Sequence, residues 1–145
     1  PIEKDETLIK YNTQILDKKV ELLYLFAQNK LIGASYKLDE NYLNSERFIK
    51  TYTRFKEELT KKYGPPNKEI TQWKNDAFKS DRRKWGIALS LGYLEYFTFW
   101  ETPGTTVSCG LKEKNYYVLC SIDYWSMEFS NLLDKNKNED KPNPF

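Results

Sequence analysis

The chain is 145 residues long, with 39% hydrophobic and 30% charged residues, which is the make-up of one soluble globular domain. Lys plus Arg number 23 and Asp plus Glu 21, leaving a formal charge of +2 that excludes a polyanion-binding tail and argues against a nucleic-acid or anionic-membrane partner. Histidine is absent from the sequence, and with it go the Ser-His-Asp triad, the Cys-His pair and imidazole zinc sites, so neither a metal nor a cofactor is expected.

Alternation from Leu8 to Ile15 predicts a first strand, and after Asp17-Lys18 a second places Val20, Leu22, Tyr24 and Phe26 on one side. Gln28-Asn29-Lys30 reads as a turn. Leu31 to Leu38 then returns as a third strand whose Ile32, Ala34, Tyr36 and Leu38 share a face, which completes an antiparallel meander. The period changes at Phe48, Tyr52, Phe55, Leu59 and Tyr63, whose spacings of four and three residues predict a helix over 45–63. Asn44 or Ser45 is placed to cap it, Glu46 suits its positive end, Lys61 and Lys62 suit its negative end, and Gly64-Pro65-Pro66 stops it.

Residues 67–80 are polar apart from Ile70, Trp73, Ala77 and Phe78 and read as a connection with one helical turn, pinned by Trp73. Asp81 caps a short helix that carries Trp85, Ala88 and Leu89 and ends at Gly92, although Gly86 leaves a strand as the alternative. A second meander follows: a strand over Tyr93 to Trp100, a turn at Thr102-Pro103-Gly104, a strand from Thr105 to Leu111, and a return through Ile122 and Tyr124. With Lys114-Asn115 as the central turn residues, Leu111 pairs with Val118 and Cys109 with Cys120. Ser126 caps a last helix over 126–134 with Phe129, Leu132 and Leu133, and 135–145 is a polar tail. The class is α+β, with two antiparallel three-stranded meanders in one or two sheets packed against a long central helix and a C-terminal helix, and 1–134 forming a single domain.

Trp73, Arg82, Arg83 and Trp85, with Asp81 beside them, form the most notable polar and aromatic cluster. A guanidinium forks onto a carboxylate or phosphate and an exposed indole offers a stacking face, so the cluster lines a ligand or partner surface; the alternative is that the indoles anchor a loop and the guanidinia face water. In an exported protein Cys109 and Cys120, once opposite each other, would form a disulfide, the alternative being two buried thiols that act as small apolar side chains. Their spacing is not the C-x-x-C of a redox site. No catalytic residue stands out. Glu57 and Glu58 point in different directions on the helix, Asp123 and Glu95 alternate away from the core face toward solvent or a groove, and no phosphate-binding glycine pattern is present.

No apolar run approaches the roughly 20 residues that span a bilayer, and no signal-peptide pattern is present. The first residue is Pro1, which fits a processed secreted protein and an excised segment equally, so the missing signal pattern carries no information about export. The stretches YKLDENYLNSERFIKTYTRFKEELTKKYGPP (36–66), WGIALSLGYLEYFTFWET (85–102) and NYYVLCSIDYWS (115–126) resemble a bacterial family with no established reaction, part of it exported or lipoprotein-like. Where that family's hairpin tends to read Gly-Asp-Asn-Tyr, this chain has Glu113-Lys114-Asn115-Tyr116. The resemblance implies a periplasmic, cell-envelope or secreted protein, with a cytoplasmic one left open, and supplies no catalytic residue. With it, the composition points to a noncatalytic binding or structural module of the bacterial envelope or exterior that takes a protein or small-molecule ligand on an aromatic-rich sheet surface or groove. The competing readings are a His-independent hydrolase or lyase using carboxylate and Tyr groups, and a weak nucleic-acid-binding module.

Overall fold

Two-residue turns organise the sheet. Leu16-Asp17 (φ 49° and 63°), Gln28-Asn29 (52° and 62°) and Asn115-Tyr116 (52° and 70°) hold positive φ at both positions, the geometry whose twist matches that of the flanking strands. Pro103-Gly104 makes a fourth two-residue loop of a different type, with only Gly104 at positive φ (85°). The computed structural model describes residues 3–4 and 8–127. Among these, β1 (Glu3–Lys4), β2 (Leu8–Ile15), β3 (Lys18–Ala27) and β4 (Lys30–Leu38) precede the helix α1 (Glu46–Tyr63). β5 (Lys68–Trp73), a 3-10 turn (Arg82–Lys84), the helix α2 (Trp85–Ser90), β6 (Leu94–Thr102), β7 (Thr105–Lys114) and β8 (Tyr117–Ser126) follow. The two meanders join edge to edge through β4 and β8 in one antiparallel sheet of order β1-β2-β3-β4-β8-β7-β6-β5.

The protein is therefore α+β, with a multi-stranded antiparallel sheet packed against a long helix and a shorter helical segment. Asn44 provides the cap of α1, its Oδ1 accepting the Glu46 N–H at 3.0 Å, while Ser45 makes no side-chain cap bond. Gly64, at φ 86°, ends the helix with its N–H on the Thr60 carbonyl. The apolar stripe Phe48, Ile49, Tyr52, Phe55 and Leu59 meets Trp100, Val107, Cys109, Leu111, Cys120 and Ile122 from the middle strands and Leu89 from α2. Inside that core the Tyr52 and Thr98 hydroxyls hydrogen-bond to each other, and burial pushes the Tyr52 phenol well above its ordinary pKa.

Three expectations need correction. The segment 67–80 holds a strand, β5, because an edge strand exposed on both faces carries no apolar alternation; a separate turn follows at 77–80. The last hairpin turns at Asn115-Tyr116 and not at Lys114-Asn115, so Lys114 pairs with Tyr117 and Leu111 with Cys120. Glu113 Oε1 accepts the Tyr116 N–H at 2.7 Å and holds that turn. Cys109 accordingly faces Ile122, and both cysteines are free and buried. The helix expected over 126–134 lies outside the described residues except at Ser126, which ends β8, and Met127.

Burial should keep both thiols unreactive. Burial pushes the Cys120 thiol up to about 12 and Cys109 well above its ordinary value, the neighbouring Cys120 adding to the second shift. A water-soluble disulfide reagent at pH 8 is expected to titrate neither thiol in the native protein and both after denaturation. Rapid reaction of the native protein would show instead that the β7–β8 ladder opens.

Candidate functional site

Both helices lie on one face of the sheet, α1 across β6, β7 and β8 with α2 beside it. The other face carries no helix among the described residues. On that face the cross-strand register aligns Lys37, Ser121, Gly110, Phe97 and Ile70 in one row from β4 to β5. Ser121 and Gly110 are small, so the middle of the row sinks between larger neighbours. The row beside it brings Asp123 and Ser108 together on β8 and β7, and on the other side Leu119 faces Lys112 while Glu95 faces Gln72. These side chains enclose a groove of about 520 Å³, a size suited to a small ligand.

The groove is amphipathic. Ile70, Phe97 and Leu119 supply apolar surface, Phe97 being 39% exposed and stacked beside Phe99 at 6.4 Å between ring centroids. Ser121 Oγ donates to Asp123 Oδ2 at 3.2 Å, and Lys74 Nζ meets Glu95 Oε1 at 2.8 Å. Lys37 and Lys112 stand at the rim without an ion-pair partner among the described residues. Glu95 and Asp123 lie on opposite sides of the floor row and two strands apart, roughly 15 Å at the backbone by strand rise and spacing. Carboxylates that cooperate across a scissile bond converge to within about 10 Å of each other, whereas here Glu95 is engaged by Lys74 and Asp123 by Ser121 on opposite sides of the floor row. Among the described residues no cluster of His, Cys, Asp and Glu is arranged to hold a metal ion.

The cluster singled out in the sequence lies elsewhere, where the end of β5 meets α2. Trp73 and Trp85 meet edge to face at 5.4 Å, the Arg82 guanidinium covers the Trp85 ring at 4.8 Å, and Arg82 forks onto Glu46 at 2.8 and 3.1 Å. The Trp85 indole N–H donates to the Lys79 carbonyl at 3.2 Å. Arg83 turns back onto Asp81, whose Oδ1 also accepts the Arg83 backbone N–H, and the Arg83 hydrogen bond holds the Asp81 carboxyl below its usual range. The structure thus joins Trp73, Trp85 and Arg82 and leaves Arg83 outside the stack. The Arg82 guanidinium and the Trp85 indole have partners within the chain, and with Trp73 they clasp the 74–84 connection to the first turn of α1.

The rings split. Trp100 is buried, Tyr93, Tyr96 and Phe99 are half-buried, and Tyr117 is 77% exposed at the tip of the last hairpin. Asp123 and Glu95 face the groove, the second of the two directions open to them in the sequence. Gly110, Ser108, Ser121, Lys37 and Lys112 carried no individual signal. Their trace is the pair of outward-facing triplets Ser108-x-Gly110-x-Lys112 and Leu119-x-Ser121-x-Asp123, small at the centre, which meet only once the hairpin register is known. No protein-family model matches the chain, and neither a curated protein nor a solved structure matches it significantly, so the groove must be interpreted from its own chemistry.

Proposed function

We propose that the protein is a noncatalytic binding module that holds its ligand in the groove on the face opposite α1 and α2, at the bacterial envelope or exterior by the family resemblance. The observation that carries the reading is the sunken floor at Gly110 and Ser121, ringed by apolar side chains and by charges of both signs. Mixed charge favours a ligand with separated polar ends and an apolar middle over a polyanion. The engagement of Glu95 by Lys74 and of Asp123 by Ser121 weighs against the carboxylate hydrolase.

Gly110 supplies the test. A side chain there would point into the groove, and its first carbon would meet nothing closer than the Tyr96 carbonyl at 3.9 Å and the Phe97 ring at 4.0 Å. Gly110→Leu should therefore plug the groove while leaving stability unchanged or raised by up to about 1 kcal/mol, since glycine weakens a strand interior. A fragment library of amphipathic zwitterions, screened by amide chemical shifts, is expected to give hits that move Phe97, Gly110 and Ser121 and vanish in Gly110→Leu. Hits that persist in the variant, or a library that never moves these amides, would overturn the reading.

A further inference from the structure

The groove runs to the edge of the sheet, because Ile70 and Gln72 belong to β5 and line it. The Lys74 N–H bonds to the Tyr93 carbonyl directly opposite, which fixes the phase of the β5–β6 ladder. Hydrogen-bonded pairs alternate in an antiparallel ladder, so Ile70 and Gln72 turn their backbone groups to β6 while Glu69, Thr71 and Trp73 turn theirs outward. β5 runs six residues opposite β6 with one-to-one register and contains no proline. Of its two charged side chains, Glu69 is tied to Lys56 at 2.9 Å. Short strands, prolines, bulges or dense charge usually protect an edge, and β5 relies on none of these beyond Lys68 and Glu69.

Resting on the groove reading above, we infer that the ligand is an extended peptide segment of another protein, which adds as a further strand along β5 and lays alternate side chains over Ile70 and Phe97 into the groove. Backbone hydrogen bonds to Glu69, Thr71 and Trp73 would give affinity, and the groove would select the side chains. A second copy of the chain is the weaker occupant: pairing two six-residue edges buries well under the roughly 1,200 Å² of a stable specific interface.

Thr71→Pro removes one outward donor and projects its ring outward, while the inward bonds of Ile70 and Gln72 stay in place, a substitution that edge strands accommodate. A displayed library of random linear dodecapeptides is selected on the wild-type protein, and one selected peptide is synthesised unmodified and N-methylated at alternate residues in each of the two registers. The expected results are at least tenfold weaker binding to Thr71→Pro and to Gly110→Leu, and at least tenfold loss for one N-methylated register with the other retained. Because the N-methyl comparison leaves the protein untouched, it decides the matter even if Thr71→Pro fails to fold. Failure to select any peptide overturns the inference, as does a dimer in sedimentation that Thr71→Pro abolishes. Loss in Gly110→Leu with both N-methylated registers still bound also overturns strand addition but leaves the groove reading standing. Register-dependent loss with Gly110→Leu unaffected keeps strand addition and overturns the groove.

Discussion

Gly86→Ala is expected to destabilise the protein by about 2 kcal/mol, within the usual cost of overpacking a close contact. The first carbon of a side chain at Gly86 would sit 2.7 Å from the Glu46 amide nitrogen and 3.2 Å from both Glu46 Cα and Ser45 C. All three are backbone atoms, so no rotamer relieves the contact, and α2 must move off the first turn of α1. That movement disturbs Ala88 and Leu89, both fully buried, and the Arg82–Glu46 fork. Alanine's advantage over glycine within a helix, about 1 kcal/mol, opposes this but is smaller. For a domain of this length the loss corresponds to a melting temperature lower by about 6 to 8 °C. Gly110→Ala is the matched control, with ordinary contacts and no expected fall. A Gly86→Ala melting temperature within a degree of wild type would refute the close approach of the two helices.

Gly86 also marks where sequence and structure part. In the sequence it weakens a short helix, because propensity counts only the residue's own backbone freedom; in the fold it is what lets α2 lie against Glu46. β3, β4, α1, β6, β7 and β8 were legible because each carries buried apolar residues, and burial imposes a period of two or of about 3.6 on them, whereas β2, with no buried residue, was read from its alternation and its hairpin turn. β5 escaped notice because neither of its faces is sealed, so Lys68, Glu69, Thr71 and Gln72 are under no such constraint. The Cys109–Cys120 pairing failed for a different reason. Moving the hairpin register by two keeps every side chain on its own face, so alternation cannot distinguish the alternatives and the turn decides. The candidate site compounds these difficulties: its floor joins Lys37, Ser121, Gly110, Phe97 and Ile70 from five strands, and each neighbouring pair depends on a register.

Trp100→Ala should be among the most damaging single substitutions, at about 4 kcal/mol, in the range found for removing a buried large ring. Trp100 is 1% exposed, lies on β6 across from Val107, and joins the cluster that receives the apolar stripe of α1. Its indole N–H donates to the Gly64 carbonyl at 3.0 Å, which ties the C-terminal end of α1 to the sheet. Two contributions are therefore lost together, and their magnitudes differ. A hydrogen bond of this kind contributes about 1 kcal/mol net, and less here because Gly64 is only half-buried and water can take over its carbonyl. Burial of the ring should dominate. Trp100→Phe separates the two, since it keeps most of the apolar volume and drops the bond, and it should cost about 1 to 2 kcal/mol. Urea unfolding reads both variants: the midpoint should fall about twice as far or more for alanine as for phenylalanine, with the slope unchanged if the transition stays two-state. Equal losses in the two would place the stability in the Gly64 tether, and a loss under about 1 kcal/mol for alanine would remove Trp100 from the core altogether.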